Sequence, residues 1–140
     1  WLDRVNQPID LLQADVNAIE FGALSVAAMN FTLQFIPPQQ RAALLTRLRS
    51  AMVDGGVLIL SEKICFADEH LQTLNSELHH EWKRNNGYSD LEISQKRNAL
   101  ENVLIPETLD AHRQRLLNAG FSSVDVWFQC FNFASLVAIA

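Results

Sequence analysis

Hydrophobic residues along this chain fall into two patterns, short unbroken runs and stripes at helical spacing, and the two alternate. Pro8 to Asp15, P-I-D-L-L-Q-A-D, reads as a short buried strand that ends at an acidic residue. Leu24 to Phe35 is a second apolar run. Within it Val26-Ala27-Ala28-Met29 suits a strand buried on both faces, as in a parallel sheet covered by helices. Pro37-Pro38 then breaks the chain. From Gln39 to Val53 the residues Leu44, Leu45, Leu48 and Met52 make one stripe while Arg41, Arg47 and Arg49 stay in water, which predicts an amphipathic helix. Asp54-Gly55-Gly56 ends that helix, and Val57 to Leu60 follows as a short strand running out at Ser61-Glu62-Lys63. Strand, helix, glycine turn, strand is the crossover unit of an α/β sheet.

The middle of the chain carries little strand signal. Leu71, Leu74, Leu78 and Trp82 recur at helical spacing, and Asn85-Asn86-Gly87 is a turn. Ser89-Asp90-Leu91-Glu92 has the form of a capping box, predicting a second helix from there to about Asn102. Helices inserted above the carboxyl edge of a sheet commonly cover a substrate, so residues 68–104 read as a helical lid. Pro106 opens another helix with Leu109, Leu116 and Leu117 inward and Gly120 as its stop. Val124–Phe131 and Phe133–Ile139 read as an antiparallel hairpin with Asn132 between the strands.

Composition narrows the class. With 140 residues, 49% of them apolar and 19% charged, the chain is neither disordered nor low in complexity, and it can bury one core. Residues 1–140 are therefore read as one domain with no internal repeat. Eleven basic against 16 acidic side chains give −5, which argues against a general nucleic-acid-binding surface. Two cysteines, Cys65 and Cys130, have no metal-like spacing and read as thiols in a reducing cytoplasm rather than as a disulfide scaffold. No apolar run reaches the ~20 residues of a membrane span. The first residues, Trp1-Leu2-Asp3-Arg4, carry neither a signal-peptide pattern nor an initiator Met, which suggests a processed chain, an excised domain or part of a longer protein.

Five segments add specificity because they occur in a fixed order. They are N-F-T-L-Q-F at Asn30–Phe35, G-G-V-L-I-L-S-E-K at Gly55–Lys63 and N-G-Y-S-D-L-E-I-S-Q-K-R at Asn86–Arg97. L-E-N-V-L at Leu100–Leu104 and W-F-Q-C-F-N-F at Trp127–Phe133 complete the set. Together they resemble the carboxy-S-adenosyl-L-methionine synthase family, within the class I S-adenosylmethionine-dependent methyltransferase superfamily, from about Pro8 onward. The resemblance implies an α/β fold, namely the C-terminal part of a Rossmann-like methyltransferase with inserted lid helices and a terminal antiparallel hairpin. It implies a cytoplasmic homodimeric enzyme of tRNA wobble-uridine modification that uses S-adenosylmethionine and prephenate and needs no metal. Prephenate becomes phenylpyruvate, and its carboxyl group ends on the sulfonium methyl, giving carboxy-S-adenosylmethionine. Neither direct nucleic-acid binding nor a membrane partner is expected. The family's N-terminal half, with its first two strands and glycine-rich loop, has no counterpart here, since no G-x-G-x-G occurs. In the family's strand order those missing strands lie between Ile9–Ala14 and Val26–Asn30, so these two segments are not expected to pair.

The residues themselves suggest chemistry and also plainer roles. Asp15-Val16 at a strand end can hold an adenine, or Asp15 can cap a helix; the resemblance places the family's adenine contacts on both. Asn30 interrupts an apolar strand, and a buried amide there needs a hydrogen-bond partner or a ligand; the resemblance makes it a cofactor contact. Arg97 beside Lys96 can lie on a solvated face. Implied by the resemblance is a guanidinium that binds the cofactor's new carboxylate bidentately, a group an ordinary methyltransferase has no use for. His79-His80-Glu81 is a poor metal site, because adjacent helical histidines point about 100° apart. Lys83 and Arg84 read as a basic rim or a solvated one, and Trp82 and Tyr88 as packing. Ser61 and the cysteines show no adjacent base, so no catalytic residue is assigned. An ordinary methyltransferase of a small molecule or tRNA, or a fragment acting as an interaction module, are the alternatives.

Overall fold

The computed structural model describes residues 8–100 and 103–140. Along these residues run β1 (Leu24–Asn30), α1 (Pro38–Ala51), β2 (Met52–Lys63), α2 (Glu69–Asn85) and α3 (Asp90–Leu100). Then come α4 (Leu109–Asn118), β3 (Ser123–Cys130) and β4 (Phe133–Ile139), with short 3-10 turns at Val16–Ala18 and Leu33–Phe35. The strands form one sheet in the order β1-β2-β4-β3, with β1 parallel to β2 and the other pairings antiparallel. This is the α/β unit closed by a terminal hairpin that the sequence predicts.

One face of the sheet is the core. Leu44, Leu45 and Leu48 of α1 and Leu116 of α4 pack on Met29, Leu58, Leu60, Leu136 and Ala138, the inward residues of three strands. The opposite face is open: Val26 is 61% exposed, and Val57, Ile59, Val137 and Ile139 are only half-buried. Burial of β1 on both faces therefore does not occur. β1 is an edge strand, and α1 and α4 cover a single face. Residues 8–15 form no strand and all are exposed. Extended backbone becomes a strand only with a ladder beside it, and β2 is the strand paired with β1.

Other boundaries shift for local reasons. α1 ends at Ala51, and β2 starts at once, taking the Asp54-Gly55-Gly56 segment into an irregularity between the Leu24–Met52 and Val26–Val57 pairs. Gly55 there adopts φ +76°, and a Cβ on Gly56 would stand 2.9 Å from the Val53 carbonyl oxygen, so both positions require glycine. α4 starts at Leu109 rather than Pro106, because Thr108 caps it by accepting from Ala111 N–H at 3.2 Å. Leu116 points inward as predicted, but Leu117 is 41% exposed and His112 takes the inner position. Gly120 ends the helix at φ +99°. Ser89 and Glu92 form the predicted capping box, Ser89 N–H donating to Glu92 Oε2 at 2.9 Å. The predicted end of that helix at Asn102 lies outside the described residues.

Arg41 is the largest correction: it is fully buried instead of wet. Its Nε donates to Ile36 O at 2.8 Å, and its Nη2 to Gln34 O at 3.1 Å and Ile105 O at 3.0 Å. Its Nη1 pairs with Glu107, which also holds Arg115. A buried guanidinium survives only with its donors satisfied. Glu62 is equally buried and accepts from Leu33 and Gln34 N–H, each at 2.9 Å.

Burial pushes the His112 imidazole down to about 4, and both ring nitrogens lack a partner among the described residues. Its folded-state value lies below the ordinary 6.5, so folding favours the neutral ring. That contribution is whole above pH 6.5 and is lost as pH falls toward 4. Glu62 acts with the opposite sign. Burial raises it to about 6, so its contribution is whole below 4.5 and fades as pH rises through 6. Comparing His112→Leu with the parent isolates the histidine. Between pH 7 and pH 5 the difference in unfolding free energy moves by about 2 kcal/mol in the variant's favour, read from urea melts. A difference independent of pH would show that the ring is not held neutral.

Candidate anion-binding cavity

Above the carboxyl ends of β1 and β2, α2 and α3 border a cavity of about 870 Å³. Each wall follows from a local element. β1 ends in Asn30, and the chain then turns through Phe31 at φ +51° into the Leu33–Phe35 turn, bringing Phe31, Gln34 and Phe35 to the floor. Gln34 is held there because its Oε1 accepts from Lys63 N–H at 2.8 Å. β2 contributes Lys63 as its last residue. α2 contributes Ser76, His79, His80, Trp82 and Lys83, and α3 contributes Glu92, Ile93, Lys96, Arg97 and Leu100. Asn132 and Phe133 come from the β3–β4 hairpin.

Four cationic side chains, Lys63, Lys83, Lys96 and Arg97, line this space, and none forms an ion pair among the described residues. The lining carboxylate, Glu92, is taken up by Ser89, whose hydroxyl donates to it at 2.7 Å. Burial lowers the Lys63 ammonium, and burial together with Lys96 and Lys63 lowers Lys83. His79 is pushed down to about 4, first by burial and then by Lys83, Lys63, His80 and Lys96. A concave site with a surplus of like charge, apolar walls and no internal counter-ion is built for an anion.

The aromatic wall centres on His79. Its ring lies 5.9 Å from Phe131 and 6.2 Å from Trp82, both nearly parallel, and meets Phe133 edge-on at 5.0 Å. Phe31 also meets Phe133 edge-on, at 5.8 Å. These contacts clip α2 to the tip of the hairpin. Phe31 and Phe131 are the non-glycine residues at positive φ among those described, both +51°, and such strain concentrates at ligand sites.

Of the residues singled out from the sequence, Arg97 lines the cavity, and Asp15, Val16 and Asn30 do not. Asp15 caps the Val16–Ala18 turn by accepting from Asn17 N–H at 2.8 Å, and Val16 packs partly on the core. Asn30 is exposed at the end of β1 rather than buried, for the same reason that Val26 is: no layer covers that face. Lys83 lines the cavity, whereas Arg84 turns away to Glu81 and Asp90. Trp82 and Tyr88 are half exposed at its rim. Among the described residues no group of three His, Cys, Asp or Glu is placed to hold a metal, and no helix is long and apolar enough to cross a membrane. Cys65 and Cys130 are free thiols. Ser61 hydrogen-bonds Ser135 at 2.8 Å, which also accepts from Trp127 Nε1 at 2.7 Å. Sequence reasoning passed over Lys63, Gln34 and Asn132. The signal for Lys63 was its place as the last residue of an apolar strand, where a charge must face a ligand or solvent.

Known structures define the class. The chain superposes on an O-methyltransferase family 2 protein from Planctomyces limnophilus with a TM-score of 0.62 and 16% identity, covering 90% of this chain and 33% of that one. Human N-acetylserotonin methyltransferase in complex with S-adenosylmethionine gives a TM-score of 0.62 and 15% identity, covering 93% and 33%. The fold is thus that of the class I S-adenosylmethionine-dependent methyltransferases. No family model matches the chain. Sequence relatives are more particular. The chain is 60% identical over 132 residues to the carboxy-S-adenosyl-L-methionine synthase of Stutzerimonas stutzeri, covering 94% of this chain and 53% of that protein. It is 61% identical over 132 residues to the synthase of that name from Pseudomonas putida, again covering 94% and 53%. It spans about half the length of the curated relatives it matches, and over that span it is related to the carboxy-S-adenosyl-L-methionine synthases.

Replacing Lys83 by Met removes the largest of the charges acting on His79. The His79 titration, followed by the NMR shift of its ring proton, moves up from about 4 but stays below 6.5 because burial remains. An unchanged midpoint would show that the cations are not clustered around that ring.

Proposed function

We propose that this chain is the substrate-covering part of a carboxy-S-adenosyl-L-methionine synthase, a cytoplasmic enzyme that serves tRNA wobble-uridine modification. The observation that carries the reading is Arg97, with no ion pair among the described residues, in a cavity of cations, within a chain about 60% identical to proteins of that name. In the reaction, prephenate loses a carboxyl group and its ring hydroxide and becomes phenylpyruvate. The sulfonium methyl of S-adenosylmethionine loses a proton and gains the carboxyl group, and proton and hydroxide leave as water.

The residues divide this work by charge and shape. Arg97 is the counter-charge of the new carboxylate, a planar fork matched to two oxygens. Lys63, Lys83 and Lys96 draw in and hold the acid's carboxylates, which is also what keeps four like charges together. Phe31, Phe133 and Trp82 give the ring an apolar wall and exclude water from a reacting carbanion-like centre. Asp15, Val16 and Asn30 are the cofactor contacts in this reading, completed by the segment that makes up the rest of the relatives' length. A plain methyltransferase gives Arg97 no carboxylate to meet.

Arg97→Ala, in a chain extended to the relatives' full length, weakens carboxy-S-adenosylmethionine by on the order of 1.5–3 kcal/mol and S-adenosylmethionine far less, measured by calorimetry. Equal weakening of both would end the carboxylate role.

The same reading includes self-association. Among the described residues the outer edge of β1 is unpaired, and Leu71, Leu74, Leu78 and Trp82 of α2 are each 40–50% exposed on one stripe. The isolated chain sediments as a dimer or larger, and Leu71→Glu with Leu78→Glu shifts it to monomer. A monomeric parent chain would remove the homodimer from the proposal.

A further inference from the structure

We propose that Asn132 is a ligand-reading residue of the cavity, whose buried amide hydrogen-bonds a hydroxyl group on the cyclic acid held by the lysines. This deepens the reading above and rests on it for the class of acid. Asn132 lines the cavity yet is only 3% exposed, and its Oδ1 has no hydrogen-bond partner among the described residues. Proteins leave few buried acceptors unpaired, and one in the wall of a concave site is explained by a donor that arrives with a ligand.

The backbone holds it in place. Ile64 N–H donates to Asn132 O at 2.8 Å, and Phe133 pairs with both Lys63 and Cys130, so the backbone brings Asn132 next to the end of β2, where Lys63 lines the same cavity. The turn itself is assembled against local preference. Its left-handed residue is Phe131, although Asn132 next to it is the type that adopts that conformation cheaply. Swapping the two residues would relieve the strain but withdraw the amide from the cavity.

The chemistry of the donor follows from the charges. An ammonium donor is repelled by Lys63, Lys83 and Lys96, and a carboxylate offers only acceptors. A neutral donor remains, and on the cyclic acid of the reading above that donor is a hydroxyl. The aromatic wall and the cations place it on a ring that also bears a carboxylate.

The test uses the 140-residue chain and two probes that differ by one hydroxyl, 4-hydroxycyclohexanecarboxylate and cyclohexanecarboxylate, titrated by NMR. The parent chain binds the hydroxylated acid about ten-fold more tightly. Asn132→Leu loses that preference, binds the deoxy acid as before, and melts no lower than the parent, since it removes an unpaired buried polar atom. Lys63→Met weakens both acids equally, because it removes charge and not the hydroxyl contact. Asn132→Ala repeats the comparison should the leucine variant fail to fold. Equal binding of the two acids by the parent, or a preference that survives in both Asn132 variants, overturns the proposal. These probes carry no sulfonium, so the hydroxyl preference can fail while the Arg97 result stands, and the reverse.

Discussion

The guanidinium of Arg41 holds together the parts of the chain between which the cavity lies. It rises from the first turn of α1, fully buried, and bonds at once to the turn after β1 and to Ile105 in the segment before α4. Gln34 and Phe35 are on one side of that joint, and Leu104 and Pro106 on the other, and all four line the cavity. Glu107 completes the joint and passes it to Arg115 on α4. Truncating one member of such a set leaves a buried charge behind, typically at 3–5 kcal/mol. Glu62 does the same service beneath it, fastening the Leu33–Phe35 turn by two backbone N–H groups.

The other organising fact is the single-sided sheet. α1 and α4 account for one layer, and the far face of β1, β2 and β4 meets no helix except where α2 arrives at the Phe133 end. Exposure of Val26, the absence of a strand at residues 8–15 and the solvated Asn30 are all consequences of that one missing layer.

Much of this was legible from periodicity. The α1 stripe, the Ser89 capping box, the α2 stripe, the Gly120 stop and the hairpin all follow from local rules, because each is decided within a few residues. What periodicity could not show is where a polar residue goes when distant segments meet. Arg41 looks like any helix-surface arginine until Gln34, Ile105 and Glu107 converge on it, and those partners lie up to 66 residues away. Lys63 and Asn132 were hidden for the same reason, since their meaning comes from the β2–β4 pairing and from α2 and α3, which line the same cavity. Arg97 was visible only through the resemblance, and its position in the cavity is a separate, geometric observation.

The basic residues sort themselves by whether the protein supplies their partners. Arg41 and Arg115 are bound by Glu107, Arg47 by the carbonyls of Asn17 and Ile19, and Arg84 by Glu81 and Asp90. Each is held by groups of the protein itself, so these side chains shape the fold. Lys63, Lys83, Lys96 and Arg97 share a space in which Glu92, the lining carboxylate among the described residues, is committed to Ser89, and burial first and the neighbouring cations second lower Lys83 and His79. A net charge of −5 makes this more informative. An acidic protein that gathers four cations in one apolar hollow, none of them ion-paired among the described residues and the lining Glu92 bound to Ser89, spends folding stability on a field that an incoming anion discharges.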